Sequence, residues 1–257
     1  MRTIMLDNKS IVMYDAIEDL PMIRFHKFNK ALLIDAGIGS DLTDFDKHIE
    51  KITRYINSKT PELANIELDN MRQNVFFIQE NISPKYLAFA ALVKSIDGIE
   101  YNDLSDEGLR KIVDMFANVP CNELTAQFEA VKKKIDDELL MYFPVSFDDA
   151  SVKEYFDILK RRTVLMLKGV IHGETDQAKG EIDSITTELL LYSKPCKFTG
   201  QDNTEVAYDK QFDKMCLIIS QNLHVVDPKK YTVMEYYNAF EYIREIMKER
   251  QKANKPK

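Results

Sequence analysis

The sequence predicts a mostly α-helical protein, about ten helices in a multi-helix bundle, with a short β-hairpin at its N-terminus. Three observations predict it. Capping residues precede prolines at Thr60-Pro61 and Ser83-Pro84, the arrangement that opens a helix because proline lacks only an amide that would be orphaned there. Apolar residues recur at helical spacing between such marks. With 45% apolar and 30% charged residues spread over 257 positions, the chain can build a substantial core without a long disordered stretch.

The hairpin comes first. Thr3–Leu6 and Ser10–Tyr14 are short runs of β-branched and large apolar residues, and Asp7-Asn8-Lys9 between them supplies the turn. A lone hairpin is marginal in water, so this one must dock on the helices or join another strand. Helices are then expected at about 21–36, 41–58, 61–80 and 84–95, the first closed by Gly37 or Gly39. Ser105-Asp106-Glu107 opens the next, to about Ala117. Asn122 starts one that stops before Pro144, and Ser151 starts another that ends near Gly169 or Gly173. Thr175–Ser193, Glu205–Leu223 and a final helix from Thr232 complete the set. A helical body over 1–231 and a C-terminal helix with a basic tail over 232–257 are the expected units, with a subdivision of the body open near 144–150 or 194–204.

The composition excludes several classes. No apolar run approaches the ~20 residues that span a bilayer, and the N-terminus has no signal-peptide core. Three scattered cysteines, Cys121, Cys196 and Cys216, read as reduced thiols. A net charge of −7 makes nucleic acid an unlikely main partner. The exception is local: from Arg244 onward six Lys or Arg face two Glu, a balance of +4.

Chemistry-bearing motifs are sparse. Gly37-Ile38-Gly39 before a helix lacks the preceding strand and the lysine of a phosphate loop, so it reads as a turn between helices. Asp41, Asp44 and His48 form the densest acidic cluster with a histidine. Asp44 and His48 lie four apart, as metal ligands on one helix face do, but aspartates also belong in a first helical turn. His26, His172 and His224 have no partner nearby in sequence, and neither a nucleophile elbow nor a calcium-loop spacing occurs. Lys132-Lys133-Lys134 and Lys160-Arg161-Arg162 have carboxylates one turn away, so both read as ion-paired faces. No metal, cofactor or catalytic residue is assigned.

The C-terminal helix carries the remaining signal. Val233, Tyr236, Tyr237, Phe240, Ile243 and Met247 share an apolar face and are the candidate partner-binding residues; the alternative is that the same stripe packs on the chain's own core. Val233, Glu235, Tyr236, Phe240, Tyr242, Ile243 and Arg244 fall on a pattern that resembles the aromatic-rich closing helix of tailed-bacteriophage virion and tail-assembly proteins. The lysine-, asparagine- and isoleucine-rich style of the chain is similar to structural proteins of phages of gut Bacteroidales, including crAss-like phages. The resemblance implies a non-enzymatic component of a phage particle, in tail, neck or another virion position, acting by protein–protein binding. Its partners would be other virion or assembly proteins, with homo-oligomerisation open. It would assemble in the host cytoplasm and reside in the virion. The competing expectation is a metal- or small-ligand-dependent enzyme using Asp41, Asp44 and His48.

Overall fold

A computed structural model describes residues 1–80, 83–147, 150–173, 175–192 and 194–253. The last four residues of the basic tail, and part of the 144–150 boundary, lie outside the described residues. The protein is mostly helical, as expected, and opens with the hairpin. β1 (Arg2–Leu6) pairs antiparallel with β2 (Lys9–Met13) across Asp7-Asn8, whose φ values of 49° and 59° make the two-residue turn that matches strand twist.

That hairpin has a partner within the chain. A second hairpin, β3 (Val93–Ile96) and β4 (Ile99–Glu100), turns at Asp97-Gly98 and extends the sheet in the order β1-β2-β3-β4. The Ser10 amide donates to the Asp97 carboxylate at 2.8 Å, which fastens one turn to the neighbouring strand. Leu6, Ile11, Met13, Val93 and Ile96 bury the inner face.

The helices run α1 (Met22–Ile38), α2 (Leu42–Asn57), α3 (Pro61–Gln79), α4 (Pro84–Leu92), α5 (Asp106–Asp114), α6 (Cys121–Tyr142), a single turn α7 (Pro144–Phe147), α8 (Ala150–His172), α9 (Asp176–Tyr192), α10 (Thr204–Leu223) and α11 (Val233–Ala253). The expected helix over 84–95 is shorter: α4 stops at Leu92 and the chain continues into β3. Val93 and Ile96 gain a ladder with β2 there, and β-branched residues favour that over another helical turn.

α4 lies at the centre. Ala88, Phe89, Ala90, Ala91 and Leu92 are all buried, because α1, α5 and α6 surround it and the alanines let those helices approach. Arg24 of α1 is buried beside it, and among the described residues no carboxylate pairs with it. Its guanidinium donates to the carbonyls of Ala91 (3.2 Å), Val93 (2.7 Å) and Tyr101, and lies over the Tyr14 ring, so it ties helix to sheet. α11 belongs to this same core. The Val233 amide donates to Leu20 O (2.9 Å) and the Met234 amide to Ile17 O (3.0 Å), while Thr232 and Glu235 form a reciprocal capping box. α8 and α9 pack chiefly on each other, around a smaller cluster of Ile158, Ile185 and Leu189. Among the described residues no helix is long and apolar enough to cross a membrane.

Candidate functional site

Helical spacing brings three elements around one aromatic cleft of about 270 Å³. α1 contributes Met22 and His26, four apart. α10 contributes Tyr208, Gln211, Phe212 and Met215, at the 3, 4 and 7 offsets of one face, and α11 contributes Tyr236, Tyr237 and Phe240. The lining is fixed by ring contacts. His26 stacks between Tyr208 (centroids 4.6 Å apart, planes at 6°) and Phe212 (4.1 Å, 13°). Tyr236 meets Tyr237 edge-on at 5.5 Å, and Tyr237 in turn packs edge-on against Phe147 at 4.9 Å.

A short polar relay supports the histidine from outside. His26 Nε2 lies 2.8 Å from Asp209 Oδ1, and Lys30 Nζ donates to Asp209 Oδ2 at 2.7 Å. Burial lowers the His26 pKa, outweighing the neighbouring Asp209 carboxylate, so at neutral pH the ring is uncharged and its Nε2–H donates to Asp209. Burial, with Asp209 adding to it, raises the Tyr208 phenol to about 12; burial and the Tyr208 phenol do the same for Tyr237. Tyr236 is raised too, by burial first and then by the Cys216 thiol it bonds. The cleft therefore presents neutral aromatic walls and protonated phenols, which suit an apolar or aromatic group with one polar edge. A bare ion would find no compensating charge on the walls.

The six stripe residues divide. Val233, Tyr236 and Ile243 are buried against the chain's own core, and Tyr237 and Phe240 are half-buried. Met247 is 45% exposed. Within the chain α1 and α10 pack against the centre of the stripe, because packing an amphipathic helix on its own fold is the nearest way to bury it. What stays open is the rim that Tyr236, Tyr237 and Phe240 lend to the cleft. His26 and Asp209 are 183 positions apart, so no local spacing could have joined them; Phe212 and Met215, also missed, carried only the i, i+3 periodicity of an ordinary core helix.

Asp44 and His48 line a separate polar hollow with Asp35, Lys47, Lys51 and Lys85, while Asp41 is not part of its lining and lies 3.8 Å from Lys85 Nζ; each of the three is committed. Asp41 caps α2, accepting from the Thr43 and Asp44 amides at 2.8 and 3.1 Å; the Thr43 hydroxyl and these amides lower its pKa. Asp44 accepts from the Ser40 amide (2.9 Å) and Lys47 Nζ (2.8 Å). His48 is buried with Nε2 2.7 Å from Ile38 O and Nδ1 2.7 Å from Glu67 Oε1, so both ring nitrogens already face a partner within the fold. Among the described residues no group of three or more His, Cys, Asp or Glu is placed to hold a metal ion. The glycines beside this hollow are structural. A Cβ on Gly37 would lie 2.3 Å from the Phe198 ring, and Gly39 turns the chain at φ +77°.

No protein-family model, curated protein or solved structure matches this chain.

Proposed function

We propose that the protein is a non-enzymatic structural or assembly component of a tailed-phage particle that works by protein–protein binding. The cleft between α1, α10 and α11 is the seat for an apolar or aromatic side chain of its partner. The observation that carries the binding half is the cleft's composition: five aromatic side chains and two methionines at a concave, partly exposed surface, rigidified by stacking. Interfaces are enriched in these residue types, and buried aromatic anchors carry most binding energy. The phage half rests on the aromatic closing helix and basic tail of α11. Its partners are then other virion or assembly proteins, met in the host cytoplasm before the particle is complete. The competing enzyme reading at Asp41, Asp44 and His48 has less support, since those side chains are engaged by α2 amides, Lys47, Glu67 and Ile38.

Calorimetric titration against the purified products of the genes flanking its own tests this. One portal, capsid, neck or tail protein is expected to bind, and Phe240→Asp is expected to weaken it by about 30-fold or more, the effect of losing a hot-spot contact. Met247→Asp, outside the cleft, is expected to leave binding unchanged. Flanking genes of metabolism, or binding indifferent to Phe240→Asp, would overturn the phage reading and the cleft reading respectively.

A further inference from the structure

The sheet has two edges, and they differ. β4 is two residues long and carries Glu100, whose carboxylate lies 3.8 Å from Lys94 Nζ; a short, charged edge resists further pairing. β1 is five residues, Arg2-Thr3-Ile4-Met5-Leu6, with neither proline nor charge after Arg2. The register says which of its backbone groups are free. Ser10 of β2 turns both its amide and its carbonyl to Asp97, beside β3, at 2.8 Å each. Alternation then turns Lys9 and Ile11 toward β1, where they meet Leu6 and Ile4. Thr3 and Met5 therefore direct their amides and carbonyls away from the sheet, and among the described residues no hydrogen bond from outside the sheet reaches them. Both residues are exposed, Met5 to 69%.

This row of donors and acceptors says what fits there. Only an extended backbone matches it, since a helix spends its amides and carbonyls internally. The strand also matches itself. Under a two-fold axis through Ile4, Thr3 faces the partner's Met5 and exchanges both bonds with it, and Ile4 meets the partner's Ile4 on the core side, a β-branched pair. The charges at the strand's ends agree with that setting. Arg2 is exposed and has no ion pair among the described residues, and Asp7 keeps an exposed carboxylate although Lys9 reaches it at 3.1 Å. Antiparallel pairing sets Arg2 beside the partner's Asp7, so opposite charges meet at both ends. We propose that two copies pair antiparallel through β1, continuing the sheet of one copy into that of the other. At ~3.4 Å per residue the shared edge is only about 17 Å long, so the dimer is a weak and reversible one. The pairing rests neither on the cleft nor on the phage reading.

Sedimentation of the full chain tests it. A dimer is expected at ~500 µM, dissociating below ~10 µM. Met5→Pro removes an outward amide and leaves the ladder to β2 intact, so it is expected to give a monomer at ~500 µM with unchanged circular dichroism. A second test keeps every backbone amide. Thr3→Cys and Met5→Cys chains, mixed under mild oxidation, are expected to form a disulfide-linked heterodimer, because the facing Cα atoms would lie about 5.5 Å apart. Either variant alone is expected to cross-link no more than the wild type, which controls for Cys121, Cys196 and Cys216; in this register each new cysteine lies beyond the ~7 Å limit from its own copy. The cross-link decides even where the proline unfolds the hairpin. A wild-type monomer at ~500 µM, a dimer that persists in folded Met5→Pro, or a mixture that cross-links no more than its separate chains would overturn the proposal.

Discussion

Replacing Ile243 with alanine measures directly how much α11 contributes to its own fold. Ile243 is 4% exposed and lies in the main core, three residues beyond Phe240 on the inward face. The change removes three carbons, worth about 2.4 kcal/mol at ~0.8 kcal/mol each, and the cavity left behind raises this toward 3 kcal/mol. For a protein of this size that is roughly 6–10 °C in Tm. Met247→Ala is the matched control on the same helix. At 45% exposed it is expected to cost less than about 0.5 kcal/mol. Urea titration followed at 222 nm gives both numbers from the shift in midpoint at constant slope. A loss below about 1 kcal/mol for Ile243→Ala, or one equal to that of Met247→Ala, would refute the reasoning: the stripe would then be free surface, available whole to a partner.

Other positions give independent checks. Gly39→Ala puts a Cβ 2.4 Å from the Asp44 Cβ at a φ of +77°, and is expected to cost about 2 kcal/mol or more, whereas Gly98→Ala, at φ +81° with open space around it, should cost only the ~1 kcal/mol of backbone strain; equal costs measured by urea titration would contradict the close contact. Arg24→Met leaves the carbonyls of Ala91, Val93 and Tyr101 without that donor, and a loss of about 3 kcal/mol or more is expected in the same assay. His26 has a pKa lowered by burial, so the unfolded chain takes up a proton first as pH falls below ~6.5, and stability should drop from pH 7 toward pH 5. Calorimetry of His26→Phe should show a flatter profile across that window; a wild type that gains stability on acidification relative to the variant would reverse the sign. Asp209, held below the usual carboxylate range by Lys30 and His26 against the opposing effect of burial, acts only below about pH 4 and does not confuse the window.

Helix positions were legible because local chemistry sets them. Pro61, Pro84 and Ser105 open α3, α4 and α5 at or next to the expected residues, and the Asp7-Asn8 turn fixes the first hairpin. The second hairpin was missed although its signal stands in the sequence. Asp97-Gly98 between Ile96 and Ile99 is the strongest short-range hairpin mark, but the alanine-rich run before it reads as helix and absorbed Val93 and Lys94. What decided the boundary was a ladder with β2, eighty positions away, which no local window contains. The cleft was half legible. Tyr236, Tyr237 and Phe240 stood out as an aromatic group, whereas its other walls come from His26 and α10, joined only by tertiary packing. His48 shows the converse: its spacing from Asp44 suggested a shared ligand, and the fold instead gave its nitrogens to Glu67 on α3 and the last carbonyl of α1.

Amide hydrogen exchange of the free protein tests the central claim that α11 is a core element whose cleft rim, and not its whole stripe, is left for a partner. Amides of Tyr236 through Ile243 are expected to be protected nearly to the level of the core helix α4, with exchange rising toward Ala253. Rapid exchange across Tyr236–Ile243 in the free protein, slowed only when a partner is bound, would contradict it.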